Sequence, residues 1–404
     1  MSLNATPAAE RVHIGLFGRR NAGKSSVINA ITGQSLAIVS EIKGTTTDPV
    51  FKNMELLPLG PVTLIDTPGL DDEGELGALR MKKGWQVLNK TDIAILVVDG
   101  TLGLSEEDRL ILGRFQEKQL PWIVVINKAD LMTANQRSQD FGPQAMLVSA
   151  VTGENVHELK ERIARLAPTE EGKLRLVADL IDPSDFVVLV VPIDKAAPKG
   201  RLILPQQQAI RDILEADAAA IVVKEYELRE TLADLRKKPR LVITDSQVFS
   251  KVSADTPEDI WLTSFSILFA RYKGDLAETV RGVTALETLQ TGDAVLISEG
   301  CTHHRQCDDI GTVKIPRWIT QYTGCRPEFH FTSGGEFPED LSPYKLIVHC
   351  GGCTLNAREM RYRVRCAVDQ GIPITNYGIL MAQINGILKR CVQPFPEIAA
   401  LLEK

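Results

Sequence analysis

The sequence predicts an α/β protein of three domains, each built on a mainly parallel sheet. Three observations carry that expectation. At 404 residues the chain is too long for one ordinary core. Short apolar runs alternate with amphipathic, helix-like stretches along its length. Glycines and ligand-type side chains stand just past several of those runs, where open α/β sheets place their sites.

Composition narrows the class. The chain is 44% hydrophobic and 24% charged, with a formal net charge of −6, which argues against a protein that coats nucleic acid. The opening "MSLNATPAAERVHIGLFG" lacks an apolar leader core. The most apolar run, "FVVLVVPI" at 186–193, is too short to span a bilayer. A cytoplasmic protein that binds neither membrane nor nucleic acid is expected. The seven cysteines fall after residue 300, a clustering that suits metal or redox chemistry better than a disulfide framework. Cys366 and Cys391 sit at helical spacing and read as core thiols.

The first domain is expected over 1–168. "VHIGLFGRRNAGKSSVINAI" reads as strand, tight loop and helix, and Gly18 to Ser25 fits G-x-x-x-x-G-K-[ST]. Gly18 and Gly23 let backbone N–H groups close around phosphates at the positive end of the helix. Lys24 is placed for the β- and γ-phosphates and Ser25 for Mg²⁺, with Ser26 beside them. "VTLIDTPG" ends a strand with Asp66, positioned to hold Mg²⁺ through water, and Gly69, whose N–H suits the γ-phosphate. "WIVVINKAD" ends in Asn127-Lys128-Ala129-Asp130. A carboxylate at Asp130 accepts from guanine N1–H and N2–H₂ together, which adenine cannot supply. "LVSAVTGENV" brings Ser149 and Ala150 to support the base. The four motifs in this order predict an N-terminal P-loop GTPase fold that turns GTP into GDP and phosphate.

This set resembles the translation-factor-related small GTPases over roughly residues 10–165. "IKGTTTDP" at 42–49 is similar to their switch I, with Thr45 or Thr46 as the Mg²⁺-sensing threonine. Two departures matter. Leu70 stands where Ras-like enzymes carry a water-orienting glutamine, so unassisted hydrolysis is expected to be slow. Asn21 occupies the loop position where potassium-activated GTPases carry an asparagine beside a K⁺ ion, which implies a catalytic part for Asn21 with Lys24; its plain alternative is a residue that suits a turn.

A polar stretch at 167–185 reads as a linker, and a small α/β domain with a parallel sheet is expected over 169–254. No nucleophile, acid and base constellation is visible there. Arg236, Lys237, Lys238 and Arg240 read as a solvated helix end rather than a nucleic-acid contact.

A third α/β domain with a parallel sheet is expected over 255–404. Its start, "IWLTSFSILFARYKGDLAETVRGVTALETL", reads as helical. The strands "DAVLISEG" and "YKLIVH" each run into ligand-type residues, Cys301-x-His303 and His349-Cys350-x-x-Cys353. The glycines at 351 and 352 let N–H groups approach sulfur, and the helix that follows offers its positive end. Three thiolates with a nearby histidine fit structural zinc or a [4Fe–4S] cluster with one replaceable ligand; a site without metal is the third reading. His304, Cys307 and Cys325 read as spare ligands or surface residues.

A C-x-H arm followed tens of residues later by H-C-x-x-C, behind a G domain and a middle domain, resembles the HydF family, the [FeFe]-hydrogenase maturation GTPases. The resemblance covers essentially the whole chain. It implies a dimerising middle domain, a homodimer or higher homo-oligomer, and a [4Fe–4S] cluster on Cys301, Cys350 and Cys353, with His303 and His349 as the motif histidines. It further implies a scaffold that carries a transient diiron precursor between two radical-SAM maturases and the immature hydrogenase. The rival reading is a tRNA-modification or ribosome-assembly GTPase with a structural zinc domain. A GTP-gated iron–sulfur redox enzyme is a third, without a second cofactor motif to support it.

Overall fold

The computed structural model describes residues 10–33, 49–69, 84–167, 175–192, 202–300 and 309–402. The chain divides into two compact units, Met1–Glu171 and Gly172–Lys404.

In the first unit, β1 (Val12–Phe17), β2 (Val50–Leu56), β3 (Gly60–Asp66), β4 (Ile93–Asp99), β5 (Trp122–Asn127) and β6 (Ala145–Leu147) form one sheet in the order β2-β3-β1-β4-β5-β6. Only the β2–β3 pairing is antiparallel. The central strands are apolar at nearly every position because both faces are covered. In β4, Ile93, Ile95 and Val97 enter the core on one face, while Ala94, Leu96 and Val98 enter the core on the other. Period-two alternation thus divides one run between two cores. Helix α1 (Lys24–Thr32) starts directly from the loop after β1. Helix α2 (Glu106–Glu117) opens with a Ser105–Asp108 capping box.

The second unit holds two four-stranded sheets, parallel throughout. The first, in the order β10-β9-β7-β8, comprises β7 (Phe186–Val190), β8 (Ala219–Val223), β9 (Leu241–Thr244) and β10 (Trp261–Ser264). The second, in the order β12-β11-β13-β14, comprises β11 (Ala294–Glu299), β12 (Glu328–Ser333), β13 (Tyr344–His349) and β14 (Ile374–Asn376). One continuous apolar core joins the two, from Val187 and Leu241 to Val295 and Val348.

The helical reading of the stretch from 260 onward needs correction. Trp261–Ser264 is strand β10, paired in register with β9, so the middle sheet runs past residue 254. A four-residue apolar run does not distinguish strand from buried helix, and here the open edge of β9 decides. Ser264 ends the strand and caps helix α3 (Phe265–Lys273), its side chain accepting from Ile267 N–H at 3.2 Å.

Candidate functional site

Two sites are built at the carboxyl ends of parallel strands. In the first unit, Gly18 (φ +135°) and Gly23 (φ +92°) shape the loop after β1. A Cβ at Gly18 would lie 2.2 Å from the Val97 carbonyl oxygen, and one at Gly23 would lie 2.3 Å from Asn127 Nδ2. No other residue fits either place. Lys24 lies across this loop, Nζ donating to Gly18 O at 2.8 Å and Arg19 O at 2.9 Å. Ser25 Oγ donates to Asp66 Oδ2 at 2.6 Å, so the two predicted Mg²⁺ residues already meet. Burial raises the Asp66 carboxyl above its ordinary range, with Ser25 and Lys24 opposing. Asn21 is exposed, with φ +60°.

The base-recognition residues converge as well. Asn127 Nδ2 donates to Ala22 O at 3.1 Å, and Asn127 Oδ1 accepts from Ala150 N–H at 3.1 Å. One side chain thereby ties phosphate loop to base loop. Ser149 Oγ donates to Asp130 Oδ1 at 2.5 Å, and Asp130 is otherwise exposed, ready for a base. Lys128, in the left-handed region at φ +63°, donates to Asp99 Oδ2. Asp99 was not legible as a site residue, although a lone carboxylate ending the apolar strand "IAILVVD" was its only signal. The Arg19 side chain pairs with Asp108 and donates to Gly103 O at 3.3 Å. Ser26 lies on the first turn of α1 and Gly69 ends the described segment after β3. Thr45, Thr46 and Leu70 lie outside the described residues.

In the second unit, β11 and β13 are neighbours with Ser298 opposite His349. The chain passes from β11 outward to β12 and then back across to β13, so their shared edge is the switch point of the sheet. Both predicted ligand loops leave from here. Cys301, His303, His304 and Cys307 lie outside the described residues. Gly300, immediately before them, donates its N–H to Cys350 Sγ at 3.0 Å, and Cys350 N–H donates to Ser298 O at 2.9 Å. Gly352 N–H also reaches Cys350 Sγ, at 3.4 Å. That turn requires glycine: Gly352 has φ +62°, and a Cβ there would lie 2.4 Å from Met360 Sδ.

Two N–H donors on one sulfur favour thiolate over thiol, as an iron–sulfur or zinc ligand needs. The donor set of this loop therefore fits a thiolate-bound metal. Burial pushes the Cys353 thiol up, and Lys273 opposes it. That lysine is buried, donating to Cys353 O at 3.1 Å and Leu355 O at 3.0 Å. It brings positive charge to the loop where the sequence suggested a helix end. Helix α4 (Ala357–Asp369) begins four residues past Cys353, and Asn356 already accepts from Glu359 N–H at its first turn. Burial, then negative charge at Cys350 and Glu299, holds the Tyr377 phenol protonated well above its usual range, and Tyr377 Oη donates to Glu299 at 3.2 Å.

His349 is placed differently from the cysteines. Its ring is buried; Nδ1–H donates to Cys350 O at 2.8 Å, and Nε2 accepts from Arg363 Nη1–H at 3.1 Å. Burial, then Arg363, lowers its pKa to about 3. A base held neutral when folded is protonated more readily when unfolded, so its contribution is complete above about pH 6.5 and is lost as pH falls towards 3. Between pH 6.5 and 4.5 the iron-free chain is expected to lose about 2–3 kcal/mol through this group alone. Urea midpoints of wild type and His349→Gln across that range measure it; parallel losses in both would remove the contribution.

Cys366 is half-buried, Cys391 fully buried, and Cys325 Sγ lies 3.0 Å from Thr323 Oγ1. The basic cluster is used locally: Lys237 bonds Ser184 O and Asp185, Lys238 pairs with Asp259, and Arg240 stacks on Trp261 at 3.9 Å. Among the described residues, no helix is long and apolar enough to cross a membrane.

Comparison with known proteins matches three segments of the chain. Residues 13–128 match a family described as a 50S ribosome-binding GTPase. Residues 176–274 match the hydrogen maturase F dimerization domain, and residues 277–394 match the hydrogen maturase F tetramerization domain. The tRNA modification GTPase MnmE of Dechloromonas aromatica is 34% identical over 158 residues, 39% of this chain and 35% of that protein. GTPase Der of Kosmotoga olearia is 29% identical over 212 residues, 48% of this chain and 47% of that protein. The chain thus spans about half the length of these relatives or less. Among solved structures, Aquifex aeolicus Era bound to GDP and AlF₄⁻ aligns with 53% of this chain and 94% of its own, at 22% identity and a TM-score of 0.35.

Fold and site define a GTPase of the P-loop class, binding GTP or GDP with Mg²⁺ and carrying two further parallel α/β sheets. The chain belongs to the hydrogen maturase F (HydF) family. Its dimerization and tetramerization domains support a homo-oligomer.

Proposed function

We propose that this protein is a GTP-hydrolysing scaffold that holds a [4Fe–4S] cluster on Cys301, Cys350 and Cys353 and delivers a diiron precursor to [FeFe]-hydrogenase during its maturation. The observation that carries the reading is the switch point between β11 and β13, where Gly300 N–H meets Cys350 Sγ at 3.0 Å. The residue joined to Gly300 is Cys301, so the two cysteine arms are tethered to one point. The bound cluster would supply an iron that accepts a bridging ligand; the protein's part is to supply thiolates, keep N–H donors on sulfur and exclude water. His303 remains a candidate ligand. The partners proposed are two radical-SAM maturases and the immature hydrogenase, in the cytoplasm. Self-association is proposed to use the open edge of the middle sheet at β8, where Val222 is exposed.

In the G domain, GTP would exchange the two carbonyl bonds of Lys24 for phosphate oxygens, while Ser25 and Asp66 part to admit Mg²⁺ between them. Thr45 or Thr46 would complete the ion's shell. With Leu70 after the D-T-P-G motif, hydrolysis is proposed to be slow and stimulated by K⁺ beside Asn21, whose exposure leaves it free to meet an ion. The expected rate in KCl exceeds that in NaCl at least about tenfold, or about 1.4 kcal/mol off the barrier. Equal rates would remove the K⁺ site.

The reading is tested by anaerobic reconstitution with iron and sulfide. About four irons and four sulfides per chain are expected, with an EPR signal on reduction. Tightly bound zinc without acid-labile sulfide would favour the RNA-linked alternative, to which the likeness to MnmE and to the 50S ribosome-binding GTPase family points.

A further inference from the structure

We infer that Arg363, braced by Glu359, is a positioning residue that fixes the ring proton of His349 on Nδ1, so that this histidine clamps the backbone of the cysteine loop and does not act as a metal ligand. Arg363 lies on α4 with no exposed surface. Its Nε and Nη2 donate to Glu359 Oε1 at 3.0 and 2.9 Å. Nη2 also donates to Gly334 O at 2.7 Å, and Nη1 donates to Ser298 Oγ at 3.3 Å and His349 Nε2 at 3.1 Å. One guanidinium therefore joins β11, the turn after β12 and the end of β13, all at the edge from which the cysteine loops leave.

The chemistry of that contact has one solution. Guanidinium is always charged and has donors only, so His349 Nε2 must be the acceptor and carries no proton. A neutral imidazole then holds its proton on Nδ1, and Nδ1–H donates to the Cys350 carbonyl at 2.8 Å. Two residues further along the same turn, Gly352 N–H meets Cys350 Sγ. The order Glu359, Arg363, His349, Cys350 carbonyl, Gly352 N–H is continuous. A buried Arg–Glu pair contributes little to stability compared with apolar packing, and Glu359 Oε2 has no hydrogen-bond partner here. Orientation of the loop is what the pair supplies.

The protonation arm of the test needs no metal. Iron-free full-length protein with ¹⁵N-labelled histidine is examined by two-bond ¹H–¹⁵N spectra, His349 being assigned by its loss in His349→Gln. Protonation at Nδ1 alone is expected in wild type. In Arg363→Met combined with Glu359→Gln, which leaves no single buried charge, a shift to substantial Nε2–H is expected. A wild-type ring protonated at Nε2 overturns the proposal, whatever the variant does. The ligand arm rests on the cluster reading above. After reconstitution with iron and sulfide, pulsed EPR of the reduced wild type is expected to show no strong ¹⁴N coupling from His349, and the double variant is expected to gain one. Strong imidazole coupling in wild type that vanishes in His349→Gln overturns it. Failure to assemble any cluster would sink the function proposed above, while the ring-proton measurement still decides this one.

Discussion

Replacing Asp130 by Asn is expected to cost GTP about 100- to 1000-fold in affinity and to let xanthosine triphosphate bind in its place. The Asp130 carboxylate is exposed on its outer side and held on its inner side by Ser149 Oγ at 2.5 Å. Guanine presents two donors, N1–H and N2–H₂, to the free lone pairs. Each charge-assisted bond contributes about 1.5–3 kcal/mol; the asparagine amide oxygen keeps a weaker neutral bond to one donor, so the net loss is about 3–4 kcal/mol, which is that fold-change. Asparagine keeps one acceptor and adds an NH₂ that opposes the guanine amino group but matches the carbonyl xanthine carries there. The loop itself should survive, because Asn127 rather than Asp130 ties it to the phosphate loop through Ala22 O and Ala150 N–H. Titration with GTP and xanthosine triphosphate checks the switch. An Asp130→Asn protein that still prefers GTP would refute base selection by this carboxylate.

Much of this site was legible because its chemistry is local in sequence. The phosphate loop, Asp66 and the Asn127–Asp130 segment each follow an apolar strand, and parallel pairing brings those strand ends together. The cysteine loops were legible for the same reason, since β11 and β13 lie side by side. What was not legible depends on distance. Arg363 stands in "RYRVRC", where three arginines alternate with Tyr362, Val364 and Cys366, and nothing in that string marks one arginine as buried. Its burial is set by Glu359 one turn earlier and by Ser298 sixty-five residues away. Lys273 was hidden likewise at the end of a helix, where lysine is ordinarily solvated, yet it reaches two carbonyls more than seventy residues downstream. Strands β2 and β12 were missed because edge strands are half-exposed and lack an apolar run; the burial of β12 alternates only weakly.

The largest contrast among the cysteines is expected between Cys350 and Cys391. Cys391→Ala should leave iron and sulfide content unchanged, whereas Cys350→Ala should bring reconstituted iron below about one per chain, a fourfold loss or more. Both residues are thiols in the same compact unit, so a general effect of losing sulfur predicts equal results. Their surroundings predict opposite ones. Cys391 is fully buried in the apolar core, and burial pushes its thiol up to about 12, which keeps it protonated and unable to ligate. Cys350 sits at the switch point with N–H groups of Gly300 and Gly352 directed at its sulfur, both stabilising negative charge. Alanine at 350 removes the acceptor of those two donors and, with it, the sulfur that meets Gly300, the residue before Cys301 in sequence. Cys391→Ala has a folding cost of its own, since it removes a buried sulfur from the core shared with Val392 and Leu388. A Cys391→Ala chain that loads iron, beside a Cys350→Ala chain that folds and does not, would separate ligation from folding. Equal iron in the two variants would place the cluster elsewhere on the chain.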